Sequence, residues 1–503
     1  MKKWVIAIVV LVVLLAVAPW GVGKVAEKRL DRGLEQLVEA APYLSVVERK
    51  YTPGWFKSEQ VVTFEAFGPL MKVLSQKATE EAVAKQAESE GANGDAESAQ
   101  ATADAEAPAD AAEVPEVVGE LQKAMRFTVR NEVLHGPVLG LAGFGIARVD
   151  SHLVLDEKVR EALEKVFGSK AWFEVTTRVG FLGGGTTTIK CEGRTIKPQD
   201  ANAEITWETF KLAVGFSRNL DDYDIDGKWP KVEITDHRDN TQVVMTGMTL
   251  DGEGERVRGD LYDGDFTFAV DQLTVVGASK DKVEIGKIQY VVKSETKGEF
   301  TGVGVKLGVG ELKSKDVSAT GVEIKEAHYD VSVRRLHAET LEKVLAEIKA
   351  MYAKPLTSTF EAPEIMFAPL MERGLELLKY DPEFVIDRIG FATADGDGYI
   401  KGVVTLKGAT AEDFGAGSMR LIGKIHADIT IDVSEKMIQK FPNGSTGAGA
   451  AVDAGYVKRE GERLICKIVY ANGELTVNGK PQAIPGLGSP SPAVDAEAPP
   501  PQE

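Results

Sequence analysis

The sequence predicts an α+β protein built mainly from antiparallel β-sheet, with one N-terminal transmembrane helix and a few packed amphipathic helices. Three observations predict this class. A long uncharged run lies within the first 23 residues. The chain has 51 glycines, a residue that suits the turns and bulges between strands. The stretch from Lys424 to Val433 alternates polar and apolar residues, as in a strand with one buried face.

The N-terminal run extends from Trp4 to Gly23 and follows two lysines. About 20 apolar residues cross the hydrocarbon layer as a helix. The basic N-terminus predicts a cytoplasmic start, which leaves the rest of the chain on the outer side of the cytoplasmic membrane. The alternative is a signal peptide cleaved after Ala18, but Pro19 would follow the cut and the run exceeds an ordinary signal core. Residues 1–23 are therefore predicted to be a cytoplasmic N-terminus and a retained anchor.

Residues 24–76 are predicted to form a membrane-proximal helix followed by the first strands. From Lys24 to Ala41, leucines recur at helical spacing and charged residues occupy the other faces. Pro53-Gly54 predicts a turn, and Val61 to Phe67 predicts a strand.

Residues 77–116 are predicted to be an acidic low-complexity insert, and residues 485–503 a disordered tail. The insert has almost no large apolar side chains, so it cannot bury enough surface to offset its ordering entropy. Its acidic residues account for much of the net charge of −18, which leaves the remainder mildly acidic. A chain without clustered Lys and Arg is not expected to have nucleic acid as a partner.

Residues 117–484 are predicted to form a β-rich domain. Asn472-Gly473 is a strong signal for a type I′ hairpin turn between two of its strands. Two helices, 338–351 and 364–378, are predicted from apolar residues at 3.6-residue spacing. The strands are predicted at Phe181–Lys190, Val243–Leu250, Asp265–Val276, Lys287–Lys293, Phe300–Val309, Glu323–Val333, Lys424–Val433, Leu464–Tyr470 and Glu474–Val477.

Four short motifs resemble the bacterial YdgA-like proteins of unassigned function. They are Tyr51-x-x-Gly54-Trp55-Phe56 after the anchor, His135-Gly136-Pro137, the run from Leu377 to Pro382 with Ala392 to Gly396, and the closing stretch from Tyr470 to Pro481. The resemblance spans nearly the whole chain except the acidic insert. It implies an inner-membrane anchor and a periplasmic domain, allows a homodimer, and supplies no reaction. The architecture is also similar to the AsmA-like envelope proteins, whose long sheets form lipid-binding grooves, an analogy of shape alone.

One segment fits the calcium-loop pattern: Asp222, Asp224, Asp226, Gly227 and, after five intervening residues, Glu233. A calcium loop of this type leads into a helix. Here Trp229-Pro230 stands where that helix should start, and the residues that follow have the pattern of a strand. An acidic β-turn is therefore the favoured interpretation.

The remaining chemical signals also favour structural roles. Asp260 to Asp265 and Asp395 to Gly398 are Asp-Gly clusters of the kind found in hairpin turns. The glycines from Gly302 to Gly308 resemble a dinucleotide-binding fingerprint, but no helix follows them to receive a pyrophosphate. Of the six histidines, only His135 belongs to one of the motifs shared with the YdgA-like proteins. For His135 a structural role, hydrogen bonding to a turn, is favoured over a catalytic one. We therefore expect no catalytic, cofactor-binding or metal-ligating residue.

Cys191 and Cys466 are the only cysteines, too far apart in sequence for a CxxC-type redox or zinc motif. Whether they form a disulfide stays open at this level.

Three functions remain. The leading hypothesis is a non-enzymatic, membrane-anchored periplasmic envelope protein that binds or scaffolds a partner. The second is a lipid-handling protein with an apolar groove, and the third is a hydrolase with an unrecognised site. The expected partners are the inner membrane, a second copy of the chain, and a lipid or an envelope protein. A groove lined by Ile, Val and Leu and open to solvent would favour lipid, whereas a closed core would favour scaffolding.

Overall fold

The strands of the computed structural model pair only in antiparallel fashion over the described residues, which confirms a β-rich α+β fold. The structure describes residues 23–66 except 40 and 42, 126–155 except 141 and 142, 173–198, 202–314, 323–353, 374–410 and 419–483, together with positions 157, 160, 161, 164 and 413. Among these residues no helix is both long and apolar enough to cross a membrane. The predicted span to residue 22, the acidic insert and the tail beyond residue 483 lie outside the described residues.

The described chain divides into two compact units. The first consists of residues 1–237, 249–262 and 342–371, and the second of residues 238–248, 263–341 and 372–503. The predicted segments 24–76 and 117–484 both contribute to the first unit, since strand pairing joins them.

The first unit is a sheet with a helix packed on it. Helix α1 covers residues 23–39 and confirms the helix predicted after the anchor. Its strands pair in the order β1-β2-β3-β4-β5-β6-β9-β10. Strands β7 and β8 continue the ladders of β6 and β9 in the same register, so β7 pairs with β8, and β8 pairs with the same edge of β10 as β9 does. Their bounds are β1 Leu44–Thr52, β2 Lys57–Ala66, β3 Arg126–His135, β4 Ala147–Val154, β5 Glu174–Val179, β6 Gly185–Cys191, β7 Arg194–Ile196, β8 Ala203–Trp207, β9 Phe210–Phe216 and β10 Asp222–Asp236. Strand β11 (Thr241–Arg258) contributes residues to each unit.

The second unit is a sheet whose main strands pair in the order β12-β13-β14-β16-β17-β18-β19-β21-β22-β23. Their bounds are β12 Leu261–Val276, β13 Lys282–Lys297, β14 Phe300–Val309, β15 Leu312–Lys313, β16 Ile324–His337, β17 Glu383–Thr393, β18 Gly396–Leu406, β19 Ile425–Ser434, β20 Lys458–Glu460, β21 Arg463–Ala471, β22 Glu474–Val477 and β23 Lys480–Gln482.

The remaining helices are α2 Ala338–Ala353, α3 Met419–Ile422, α4 Glu435–Gln439 and α5 Gly444–Asp453. A 3-10 turn covers Leu378–Tyr380. Helix α2 confirms the prediction at 338–351, whereas most of the helix predicted at 364–378 lies outside the described residues.

Local turn chemistry explains several hairpins. Asn472 and Gly473 both have positive φ, 55° and 82°, as the predicted type I′ turn between β21 and β22 requires. Ala394 and Asp395 form the two-residue turn that joins β17 to β18, and Gly396, the first residue of β18, has a φ of 129°.

The ends of the segment that contains the acidic insert are held side by side, because Glu65 of β2 pairs with Arg126 of β3. Deleting residues 87–112 therefore leaves this register without strain, and we expect the melting temperature of the full chain to stay within about 2 °C of the parent value. Calorimetry measures this. A fall well beyond that range would show that the deleted residues pack on the domain.

Candidate functional site

Two of the resemblance motifs meet at the start of α1. The ring of His135 lies 2.9 Å from Ser58 Oγ through Nε2 and 3.2 Å from the Trp55 carbonyl oxygen through Nδ1. Because a carbonyl only accepts, Nδ1 donates to Trp55 and Nε2 accepts the Ser58 hydroxyl proton. Ser58 Oγ in turn accepts the Gly54 N–H at 3.1 Å.

These bonds fasten the Pro53-Gly54 turn to the end of β3. His135 is 3% exposed and Ser58 6% exposed, and both ring nitrogens are engaged. His135 therefore hydrogen-bonds to this turn, as the sequence analysis expects for it. Gly23 also abuts the imidazole ring, since a Cβ there would lie 2.5 Å from His135 Cε1.

Helix α1 then packs along one face of the sheet. Ala26 is buried against Val133, Ile146, Ala147 and Val149, and Leu30 packs on the same cluster. The helix is tied at its side to β1 by an ion pair between Asp31 and Arg49. The following turns of α1, which carry Leu34 and Leu37, lie over two cavities.

Two adjoining cavities lie beneath α1, and they share Leu34, Leu37, Asn131 and Ser151. The larger, which we call the apolar cavity, has a volume of about 800 Å³. It is open to solvent, and Leu153 and Phe173 on its wall are each 55% exposed. Its apolar lining consists of Leu34, Leu37, Leu44, Phe64, Phe127, Val129, Leu153, Leu155, Phe173, Val175 and Ile189, with His152, Arg160 and Glu164 among its polar residues.

The smaller, which we call the arginine cavity, has a volume of about 410 Å³. Arg29 and Arg32 of α1 and Arg218 from the loop after β9 line it. Arg29 and Arg218 converge on the turn at Gly183, where a Cβ would lie 2.5 Å from Arg29 Nη1 and 3.0 Å from Arg218 Cγ. Burial, followed by repulsion from Arg218 and Arg32, lowers the pKa of Arg29. Among the described residues, none of the three arginines forms an ion pair with a carboxylate.

Gln60 also lines the arginine cavity, and its side chain is fully buried. Its Oε1 accepts a hydrogen bond from Asn131 Nδ2 at 2.9 Å. Its Nε2 has no acceptor among the residues that the structure describes. A buried donor without a partner costs free energy, so a ligand oxygen here would be stabilising.

The calcium-loop residues lie in strand β10, so the predicted acidic turn is wrong. Asp222, Asp224 and Asp226 share one face of the strand, whereas Glu233 is on the other. Eleven residues of extended chain place Asp222 and Glu233 about 36 Å apart, too far for one ion. Glu233 is instead paired with Lys231 at 2.7 Å. An Asp-x-Asp-x-Asp pattern has the same period as a strand, which is why the motif is ambiguous.

The turns predicted at the two Asp-Gly clusters are confirmed only in part: Asp260 and Asp395 are turn residues, whereas Asp263-Gly264-Asp265 lies in β12 and Asp397-Gly398 lies in β18. Several of their carboxylates have partners within the same unit. Asp260 pairs with Lys349 at 2.6 Å, and Asp263 accepts hydrogen bonds from the backbone N–H and hydroxyl of Thr296 at 2.8 Å. Asp397 pairs with Arg463. No group of three His, Cys, Asp or Glu side chains in the described part of the chain is placed to hold a metal ion.

Two other candidates are resolved in the same way. The glycine run from Gly302 to Gly308 lies within β14, so it forms no dinucleotide loop. Cys191 and Cys466 are free thiols, and burial raises the pKa of Cys466.

The second unit presents an apolar row across four paired strands. Phe268, Tyr290, Leu307 and Tyr329 are register partners in turn on β12, β13, β14 and β16. Each is between 36% and 49% exposed. Apolar side chains in a contiguous exposed row are unusual on a soluble surface and mark contact sites.

The sequence analysis missed the arginines and Gln60. Arg29 and Arg32 stand three residues apart, a spacing that places them on neighbouring faces of a helix. Gln60 and Asn131 are polar residues at inward positions of β2 and β3 and are paired in register. Polar residues at inward-facing positions of a strand could have pointed to a site in the sequence. Only the strand pairing shows that Gln60 and Asn131 lie side by side.

The comparisons with known proteins bear on identity alone. No curated protein and no solved structure matches the chain significantly. The family model described as "Bacterial protein of unknown function (DUF945)" matches residues 1–485. The chain therefore belongs to DUF945, a family of bacterial proteins whose function is unknown.

Proposed function

We propose that this protein is a non-enzymatic, membrane-anchored envelope protein whose first unit binds the acyl chain of a lipid in the apolar cavity. The acyl-chain site corresponds to the second hypothesis from the sequence, whereas the membrane anchor and the non-enzymatic role correspond to the leading one. Four further predictions from the sequence accompany this proposal. They are a periplasmic location, an inner-membrane anchor, a homodimer and the resemblance to the YdgA-like proteins.

The apolar cavity is the observation that carries the proposal. Its volume of about 800 Å³ falls within the roughly 300–1,000 Å³ of ordinary small-molecule sites. Its lining is mainly aliphatic and aromatic, and the cavity is open to solvent. This arrangement favours a lipid-handling protein over a scaffolding protein, for which a closed core is expected. Each methylene moved from water into such a site contributes about 0.8 kcal/mol, so an acyl chain gains substantially from entry.

The position of α1 supports the same function. The described part of α1 runs from residue 23, the last residue of the predicted anchor, and Leu34 is eleven residues further along. Eleven residues of helix rise about 17 Å, so the cavity would lie within reach of the predicted membrane surface. The apolar row of the second unit adds a surface of similar character.

Native mass spectrometry of the full-length chain extracted from membranes tests the proposal. We expect a bound lipid, and we expect Leu153→Glu to reduce the bound fraction by about tenfold, because a carboxylate in the apolar wall opposes burial of the chain. Leu153 is already 55% exposed, so the substitution should not unfold the sheet.

Val257→Glu is the matched control, since Val257 is 48% exposed on β11 and lies outside both cavities. Equal lipid occupancy in the two variants would contradict the proposal. Binding that appears only after deletion of residues 69–123, which leaves five residues to connect Glu65 to its register partner Arg126, would show that the chain itself covers the cavity.

The proposed topology has a separate test. A reporter that is active only outside the cytoplasm, fused after Glu503, is expected to be active while the protein stays in the membrane fraction. Recovery of a soluble species that begins at Pro19 would instead show a cleaved signal peptide.

A further inference from the structure

We infer that the arginine cavity selects lipids with a phosphate headgroup, which Arg29, Arg32 and Arg218 bind while the acyl chain lies in the apolar cavity. This inference rests on the proposed acyl-chain binding and adds the chemical class of the ligand. The two cavities supply the two halves of an amphiphile, one charged and one apolar.

Continuity between the cavities is the first step. Leu34 and Leu37 of α1 line both cavities from above, and Asn131 and Ser151 line both from the sheet. Asn131 and Ser151 are register partners on β3 and β4, so they form one polar row on the sheet. A ligand that occupies both adjoining cavities would therefore run under α1 from the arginines to the aromatic side chains.

Charge complementarity is the second step. Three guanidinium groups line one cavity, and two of them converge on the Gly183 turn. Without an acidic partner among the described residues, these cations repel one another, and an anion placed between them removes that repulsion. A phosphate monoester carries about −1.5 to −2 charges at neutral pH, a better match to three cations than one carboxylate. Arginine also binds phosphate oxygens in a two-pronged geometry.

The unpartnered amide of Gln60 is the third step. Its Nε2 is a buried donor on the wall of the cavity that holds the arginines. Glycerolipids carry ester carbonyl oxygens between the phosphate and the acyl chains, and such an oxygen is a suitable acceptor for this donor. Neither inorganic phosphate nor a free fatty acid offers both groups.

The test uses the full-length chain in nanodiscs of zwitterionic lipid and short-chain probes that stay monomeric in water. The probes are dioctanoyl phosphatidic acid, dioctanoylglycerol, octanoate and inorganic phosphate, with dissociation constants from calorimetry. We expect phosphatidic acid to bind at least about tenfold more tightly than dioctanoylglycerol. In the Arg29→Gln/Arg218→Gln double variant this preference should disappear while dioctanoylglycerol binding is unchanged.

Arg130→Gln is the matched control, because Arg130 is an exposed arginine of β3 that lines neither cavity. Equal affinity of the parent protein for phosphatidic acid and dioctanoylglycerol would overturn the headgroup inference and leave acyl-chain binding standing. Failure of both to bind would overturn the proposed function itself. If inorganic phosphate bound as tightly as phosphatidic acid, the cavity would be a phosphate site and not a lipid site. Vesicles that contain anionic lipid are a further probe. If the double variant bound these vesicles less tightly than the parent but bound the monomeric probes equally well, the arginines would contact the membrane surface and not a lipid in the cavity.

Discussion

Replacing Gly136 with alanine is expected to destabilise the protein by about 3 kcal/mol, a fall of roughly 6–12 °C in melting temperature. A Cβ at this position would lie 1.8 Å from the carbonyl oxygen of Gly145 and 2.9 Å from its carbon. Both contacts are to backbone, so no side chain can move aside. The Gly136 N–H also donates to the Ile146 carbonyl oxygen at 2.8 Å, and separating the two segments would break this bond.

Calorimetry of the full chain measures the effect. Gly447→Ala is the matched control, because Gly447 lies in α5 with no atom within 4 Å of an added Cβ. Alanine is the better helix former, so this control should gain about 0.5–1 kcal/mol. An unchanged melting temperature for Gly136→Ala would show that the two segments separate freely and that the glycine of His-Gly-Pro serves another purpose.

Replacing Arg463 with methionine is expected to destabilise the second unit by about 2 kcal/mol. Arg463 donates to Asp432 through Nε and to Asp397 through Nη1, each at 2.5 Å. Tyr399 donates to the other oxygen of Asp432 at 2.9 Å, and this bond, followed by burial, raises the pKa of Tyr399. Methionine keeps the apolar stem but leaves two partly buried carboxylates without their cation. The magnitude is set below that of a fully buried pair, since Arg463 is 28% exposed.

Chemical denaturation compares this variant with Arg459→Met, which removes a solvent-screened surface pair with Glu435 and should lower the stability much less than Arg463→Met. Adding Asp397→Asn and Asp432→Asn to Arg463→Met should recover most of the loss, because the neutral amides no longer repel each other. Equal destabilisation by the Arg459 and Arg463 variants would mean that the cluster acts as an ordinary surface ion pair.

Local patterns determined much of the fold before any tertiary contact was known. The bounds predicted for Phe300 to Val309 match β14, because β-branched or apolar residues occupy every second position from Thr301 to Val309. Helix α1 follows from the leucine spacing, and the hairpin after Ala471 from the backbone freedom of Asn472-Gly473. Each of these features depends on residues close together in the chain, so short-range sterics and periodicity suffice to predict it.

The candidate site depended on pairing between distant segments. His135 reaches a turn about 80 residues earlier in the chain, and Arg29 reaches the Gly183 turn. Asp222 to Glu233 carries the spacing of an ion-binding loop, yet its hydrogen bonds to β9 and β8 hold it extended. Strand register sets which side chains share a face, and register comes from long-range backbone bonds that sequence spacing does not encode. The sequence by itself therefore determined the β-rich class and the main elements, whereas only the tertiary structure placed an apolar cavity beside two arginines of α1 and a third from the loop after β9.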